Sequence, residues 1–268
     1  MFEAMHARLP ARHAVKILNR DLMASSDAYE RFRREATVMA ALRHRNIVQV
    51  TDFNVTSDGR PFLVMELLEG RDLAARLANE GSLPLADVVS LVKQIAAGLG
   101  AAHDNGITHR DLKPENVFLV TERDGNGEET REIAKILDFG ISKVKQSPVP
   151  LTHGDVIFGT PNYMSPEQAQ GRRAEIDGRT DQFALAALAF EMLTGCDAFE
   201  GSDPLSVVYK VVHASPRTLS GLTSFDSAKL DLVLGKALSK DKRERWESIR
   251  DLSAAFEEAA RHTTMELR

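Results

Sequence analysis

The sequence predicts an α+β chain. Strand-like runs rich in β-branched and aromatic residues, at 12–18, 47–53 and 61–65, are crowded into its N-terminal part. After them come helix-length apolar patterns at 85–103, 183–193, 204–213, 226–238 and 248–262. A length of 268 residues suits one bilobal domain or two small ones.

In chain order, Arg-His-Ala-Val-Lys-Ile-Leu at 12–18 reads as a strand with Lys16 embedded in it. Ser25, Ser26 and Asp27 offer N-cap oxygens for a helix over 26–42, in which Phe32, Met39 and Leu42 recur near helical spacing. The strands at 47–53 and 61–65 are joined by a turn at Ser57-Asp58-Gly59. The helix at 85–103 stops near Asn105-Gly106 and is the expected buried pillar of the helical part. Residues 121–132 are polar and acidic and read as a solvated hairpin loop. Asp181 reads as the cap of the helix at 183–193, and 263–268 as a frayed tail.

Composition bounds the function. Hydrophobic residues make up 43% and charged residues 27%, which is enough for a globular core. A net charge of −5 gives no general pull toward nucleic acid or anionic lipid, so no nucleic-acid partner is expected. The single cysteine, Cys196, excludes an internal disulfide and fits a reducing, cytoplasmic setting. No apolar run reaches spanning length in this reading, and the N-terminus does not read as a signal peptide. The eight histidines lack zinc-like spacing, and no G-x-x-x-x-G-K-[ST] is present, which excludes a P-loop NTPase.

One stretch stands apart: His109-Arg110-Asp111-Leu112-Lys113-Pro114-Glu115-Asn116, followed downstream by Asp138-Phe139-Gly140. Each lies where an apolar run breaks into polar residues. Phosphoryl transfer needs a carboxylate near the attacking hydroxyl and oxygen ligands that hold magnesium on the phosphates. Asp111 can be the first, and Asn116 and Asp138 the second.

These two stretches resemble the catalytic and metal-binding loops of the protein kinase family, and the resemblance runs over about residues 1 to 260. It implies a bilobal protein kinase-like fold. A small lobe at 1–68 holds an antiparallel sheet and one helix, and a helical lobe occupies 69–262. It implies ATP and Mg2+ as cofactors. Lys16 reaches the α- and β-phosphates, Glu35 pairs with Lys16, and Met39 packs beneath that pair. Ala14 and Phe118 sandwich adenine. Met65 guards the pocket behind it, and backbone groups of Glu66 and Leu68 bond its edge. Lys113 contacts the transferred phosphate and marks a serine/threonine enzyme, so the implied partners are proteins bearing Ser or Thr hydroxyls. Thr160 bonds the catalytic aspartate and lysine. Glu167 pairs with Arg245, and Asp181 bonds the catalytic-loop backbone. Ser165-Pro166-Glu167-Gln168-Ala169 is similar to bacterial, eukaryotic-type (Hanks-type) serine/threonine kinases. Between D-F-G and this motif lies an activation segment, with Thr152 its expected autophosphorylation site, Ser147 the second candidate and Arg110 the phosphate's partner.

One family feature is missing. The glycine-rich loop that covers ATP phosphates should precede Lys16, yet the first glycine is Gly59. Met1 falls where a family valine stands. The expectation is therefore a domain truncated at its N-terminus, a native product with the loop upstream, an uncovered edge at Phe2-Glu3-Ala4, and weak Mg-ATP binding by these 268 residues. The missing loop also leaves a second reading, a kinase-shaped interaction module with impaired catalysis.

Overall fold

Alternation of side chains shapes the first sheet. The computed structural model describes residues 1–5, 8, 10–17, 33, 36, 37, 39–123, 129–139 and 161–266. In strand β4, Pro61–Glu66, the residues Pro61, Leu63 and Met65 are buried and alternate with half-exposed Phe62, Val64 and Glu66. It pairs antiparallel with β2, Arg12–Ile17, and with β3, Val50–Val55. Strand β1, Phe2–Met5, completes the order β1-β2-β4-β3 and is an edge. Phe2 and Met5 are exposed there. Gly59, at φ 83°, closes the β3–β4 turn as expected.

The strand expected from residue 47 starts only at Val50. Ile47 instead bridges in parallel to Ile136, Val48 N–H donates to Ile136 O at 3.0 Å, and Ile136 N–H donates to Asn46 O at 2.8 Å. The buried Ile47 and Val48 are thus drawn to the second sheet before the chain enters the first. Of the helix expected at 26–42, only its C-terminal part is described. It is helical to Ala41, with Met39 buried.

The second sheet has the order β5-β6-β7: Gly70–Asp72, Val117–Arg123 and Glu129–Ile136. A Cβ at Gly70 would lie 2.0 Å from Leu119 O, so only glycine lets β5 approach β6 there. The solvated loop expected at 121–132 is corrected: Thr121–Arg123 and 129–132 extend the two strands. Their polarity reflects a ribbon with an exposed face, not loop structure. Glu132 is held by the buried Arg76 at 2.5 Å.

Helix α1, Leu73–Glu80, is capped by Asp72, which accepts from Ala75 N–H at 2.7 Å. Helix α2, Leu85–His103, has the bounds the sequence predicts and buries Val88, Leu91, Val92, Ile95 and Leu99. It is also long and apolar enough to cross a membrane, which corrects the expectation that no run reaches that length. Its buried face here belongs to the protein core.

The short helix α3, Pro166–Ala169, precedes α4, Gly178–Thr194, which is buried on nearly every side and apolar to match. Asp177, not Asp181, caps α4, accepting from Arg179 N–H at 2.9 Å. Asp181 lies one turn in and is committed elsewhere. Helices α5, Pro204–His213, and α6, Ala228–Ala237, follow the predicted pattern closely. Helix α7, Ile249–Glu266, runs past the predicted end at 262, so the tail is helical rather than frayed through Glu266. Thr263 is buried and its Oγ1 donates to Asp226 O at 3.2 Å, which anchors that last turn.

The ion pair between Glu167 and Arg245 ties α3 to the segment before α7. Both side chains are buried, and the contact is bidentate at 2.8 and 2.9 Å. Thr180 Oγ1 also donates to Glu167 at 2.9 Å, and Arg245 reaches the carbonyls of Arg179 and Ser239 at 2.9 Å each. Burial alone would raise the Glu167 pKa. The Arg245 guanidinium outweighs it and holds the carboxyl below its ordinary 4.5. A depressed carboxylate contributes stability that is full above pH 4.5 and is lost as pH falls through the lower folded value. Arg245→Met should lower unfolding stability by about 3–5 kcal/mol in urea titration, because it strands a buried carboxylate. The variant should also lose the steep acid-side fall that the parent shows below that pH.

Candidate active site

Two loops carry the chemistry-bearing residues, and each contains a strained backbone position. Arg110, at φ 66°, and Asp138, at φ 47°, are the non-glycine residues with positive φ among the described residues. Arg110 is held from both sides. Its N–H donates to Asp181 Oδ1 at 2.9 Å, and its carbonyl accepts from Gln168 Nε2 at 2.7 Å. Asp181 Oδ2 also accepts from His109 N–H at 2.8 Å and contacts His103 Nε2 at 2.7 Å. This carboxylate is fully buried in the first turn of α4. The core thereby sets the path of the 109–111 backbone.

Leu137 joins the two loops. Its N–H donates to Asn116 O at 2.8 Å, and its carbonyl accepts from His109 Nε2 at 2.8 Å. With Nε2 donating, His109 Nδ1 is free to accept, and Asp111 N–H meets it at 3.2 Å. The His109 ring packs on Phe139 with centroids 4.8 Å apart. Asn116 is buried at the end of the 3₁₀ turn Pro114–Asn116, and its Nδ2 donates to Asp111 O at 2.7 Å. That bond turns the amide so that its oxygen remains as an acceptor. Lys16 Nζ, from β2, stands 2.6 Å from Asp138 Oδ1. The four residues Lys16, Asp111, Asn116 and Asp138 are thus brought together from three separate chain segments.

Two of the expected nucleotide-edge residues are cross-strand neighbours. Ala14 and Met65 are buried and directly opposed in the β2–β4 ladder. Val117 and Leu119 point into the core, so Phe118 faces the other side of β6, half-exposed. The Glu66 N–H already donates to Gln49 O at 3.0 Å, which leaves its carbonyl as the candidate contact, with half-buried Leu68 two residues on. Lys113 follows Asp111 in extended backbone as the N-cap of the 3₁₀ turn. Glu35, Thr160, Thr152 and Ser147 lie outside the described residues.

Several contributors escaped sequence reasoning. His103, the last residue of α2, through Asp181, and Gln168, in α3, hold the 109–111 backbone, and no local signal distinguishes either. Lys135, a lone charge in Ala134-Lys135-Ile136-Leu137, could have been noticed. It bonds Glu66 at 2.7 Å.

This geometry belongs to a known class. The protein kinase domain model matches residues 1–262, and the chain belongs to the protein kinase family. It is similar to the serine/threonine-protein kinase Pkn1 of Myxococcus xanthus, 39% identical over 254 residues, covering 95% of this chain and 35% of that protein. It is also similar to the serine/threonine-protein kinase PknB of Mycobacterium leprae, 35% identical over 254 residues, covering 94% of this chain and 39% of that one. Among solved structures, the kinase domain of Mycobacterium tuberculosis PknI (a double mutant) aligns with a TM-score of 0.74 and 28% identity, over 97% of this chain and 89% of that one. The α+β, bilobal kinase fold expected from the sequence is the one observed. The chain spans between 29% and 52% of the length of curated relatives of this kind.

Asp181→Ala should free the His109 and Arg110 amides and remove the support for the strained Arg110. A stability loss of about 3 kcal/mol is expected, with faster amide hydrogen exchange centred on residues 109–111.

Proposed function

We propose that this chain is the catalytic domain of a serine/threonine protein kinase, moving the γ-phosphate of ATP to Ser or Thr hydroxyls of proteins. The single observation that carries the reading is the convergence of Lys16, Asp111, Asn116 and Asp138 around the two Leu137 backbone bonds. We take residues 1–262 as the unit that performs it, split near residue 68. We place its action in the cytoplasm, where ATP is supplied and the free thiol of Cys196 is at home.

Magnesium fits the donor set. Asn116 and Asp138 offer hard oxygens, and magnesium is commonly held by one or two such protein ligands together with substrate phosphates. When bound, the ion neutralises charge on the transferring phosphoryl group. The chain's own residues supply the rest. Asp111 orients the acceptor hydroxyl and takes its proton. Lys113 and Lys16 offset phosphate charge, and Lys16 must then exchange its Asp138 contact for phosphate oxygen. Glu35 positions Lys16, and Thr160 steadies Asp111 and Lys113. Ala14, Met65 and Phe118 enclose adenine, with the Glu66 carbonyl and the Leu68 backbone on its edge. Phosphate added to Thr152 pairs with Arg110, whose side chain is exposed beside Asp111.

Asp111→Asn removes the proton acceptor while keeping the shape. Single-turnover transfer should fall about 10²–10⁴-fold with nucleotide affinity retained; equal turnover would refute the role. Mass spectrometry of autophosphorylated protein should find phosphate on Thr152, and Thr152→Ala should transfer more slowly. A fully active Thr152→Ala would remove the switch.

A further inference from the structure

We propose that Lys135 is a positioning residue for the nucleotide, acting through Glu66: their ion pair is a strut that fixes the end of β4 against the strand leading to Asp138. This rests on the kinase reading above.

Glu66 is the last residue of β4, in the first sheet, and Lys135 is the penultimate residue of β7, in the second. Lys135 Nζ meets Glu66 Oε1 at 2.7 Å, and the same oxygen accepts from Gln49 N–H at 2.8 Å. The Glu66 N–H returns a bond to Gln49 O at 3.0 Å. Glu66 is therefore held by Gln49 through backbone and side chain, and by Lys135 from the other sheet. The lysine side chain is only 16% exposed and Glu66 31%, so the pair is partly withdrawn from water and from salt screening.

The strand pattern says where Lys135 lies. Ala134 and Ile136 are fully buried on one face of β7, so Lys135 belongs to the other. Its cross-strand partner is Phe118, the proposed floor beneath adenine, and directly opposed residues share a face. Asp138 follows three residues later, already engaged with Lys16. A nucleotide has its base edge at one end and its phosphates at the other. Segment 66–68 and Asp138 must therefore keep a set separation, and the strut is the side-chain link between their supporting strands.

Lys135→Met keeps the aliphatic stem and removes the charge, whereas Lys135→Arg keeps the charge. Adenosine and ADP affinities are read by calorimetry, and amide exchange at 66–69 is read in nucleotide-free protein. Lys135→Met should weaken adenosine and ADP by the same factor, about tenfold, raise KM for ATP with kcat retained, and speed exchange at 66–69. Lys135→Arg should restore all three. Unchanged exchange at 66–69 in Lys135→Met overturns the strut, whether or not the parent protein transfers phosphate. So does a fall in melting temperature with both affinities intact. A parent protein that binds ADP yet transfers no phosphate overturns the kinase reading itself, and the exchange measurement still decides the strut.

Discussion

The buried carboxylate of Asp181 is the contact on which the site's shape depends. It receives His109 N–H, Arg110 N–H and the His103 ring, so three donors from two segments meet one side chain at the start of α4. A left-handed arginine does not persist unaided, since its backbone strain must be offset by its surroundings. Here the offset comes from the most buried helix in the described protein. α4 cannot shift without moving Phe183, Leu185, Leu188 and Phe190, all essentially without solvent exposure. Packing of an apolar helix is in this way converted into the direction in which Asp111 points.

A second layer of order comes from polar groups buried between α2 and the second sheet. Asn46 Nδ2 donates to Ala134 O at 2.8 Å and Gln94 Oε1 at 3.2 Å, and Gln94 Oε1 also accepts from Ala134 N–H at 3.0 Å. These bonds satisfy buried backbone groups that no further strand reaches. They also fix β7 in register just before Leu137, whose two backbone bonds align the loop of Asp111 and Asn116 with that of Asp138. The first sheet then docks through Lys16 to Asp138 and through Glu66 to Lys135.

Signals confined to one segment are legible in this sequence, and contacts between distant segments are not. Helix α2 has the bounds its apolar spacing and Asn105-Gly106 predict, because start and stop are written within the segment. The pairing of Glu167 with Arg245 was legible only through family resemblance, since no local pattern joins residues so far apart. The strand ends at 121–123 and 129–132 look like loop because polar residues on a half-exposed sheet resemble loop residues. Asp177, just upstream, takes the cap that Asp181 offers in the sequence, while the bond from Asp181 to the 109–110 backbone, implied by the resemblance, is present. His103, Gln168 and Lys135 act through tertiary contacts alone. Asp111, Asn116 and Asp138 are legible because their chemistry requires particular atoms, whatever the surroundings, whereas Lys16 is legible only through the family resemblance.

The most direct measurement is transfer itself. The chain is incubated with γ-labelled ATP, magnesium and a generic basic acceptor protein, and the labelled amino acids are then identified. The kinase reading predicts label on serine and threonine, abolished by chelating magnesium. Absence of label from a protein that binds ADP would contradict it.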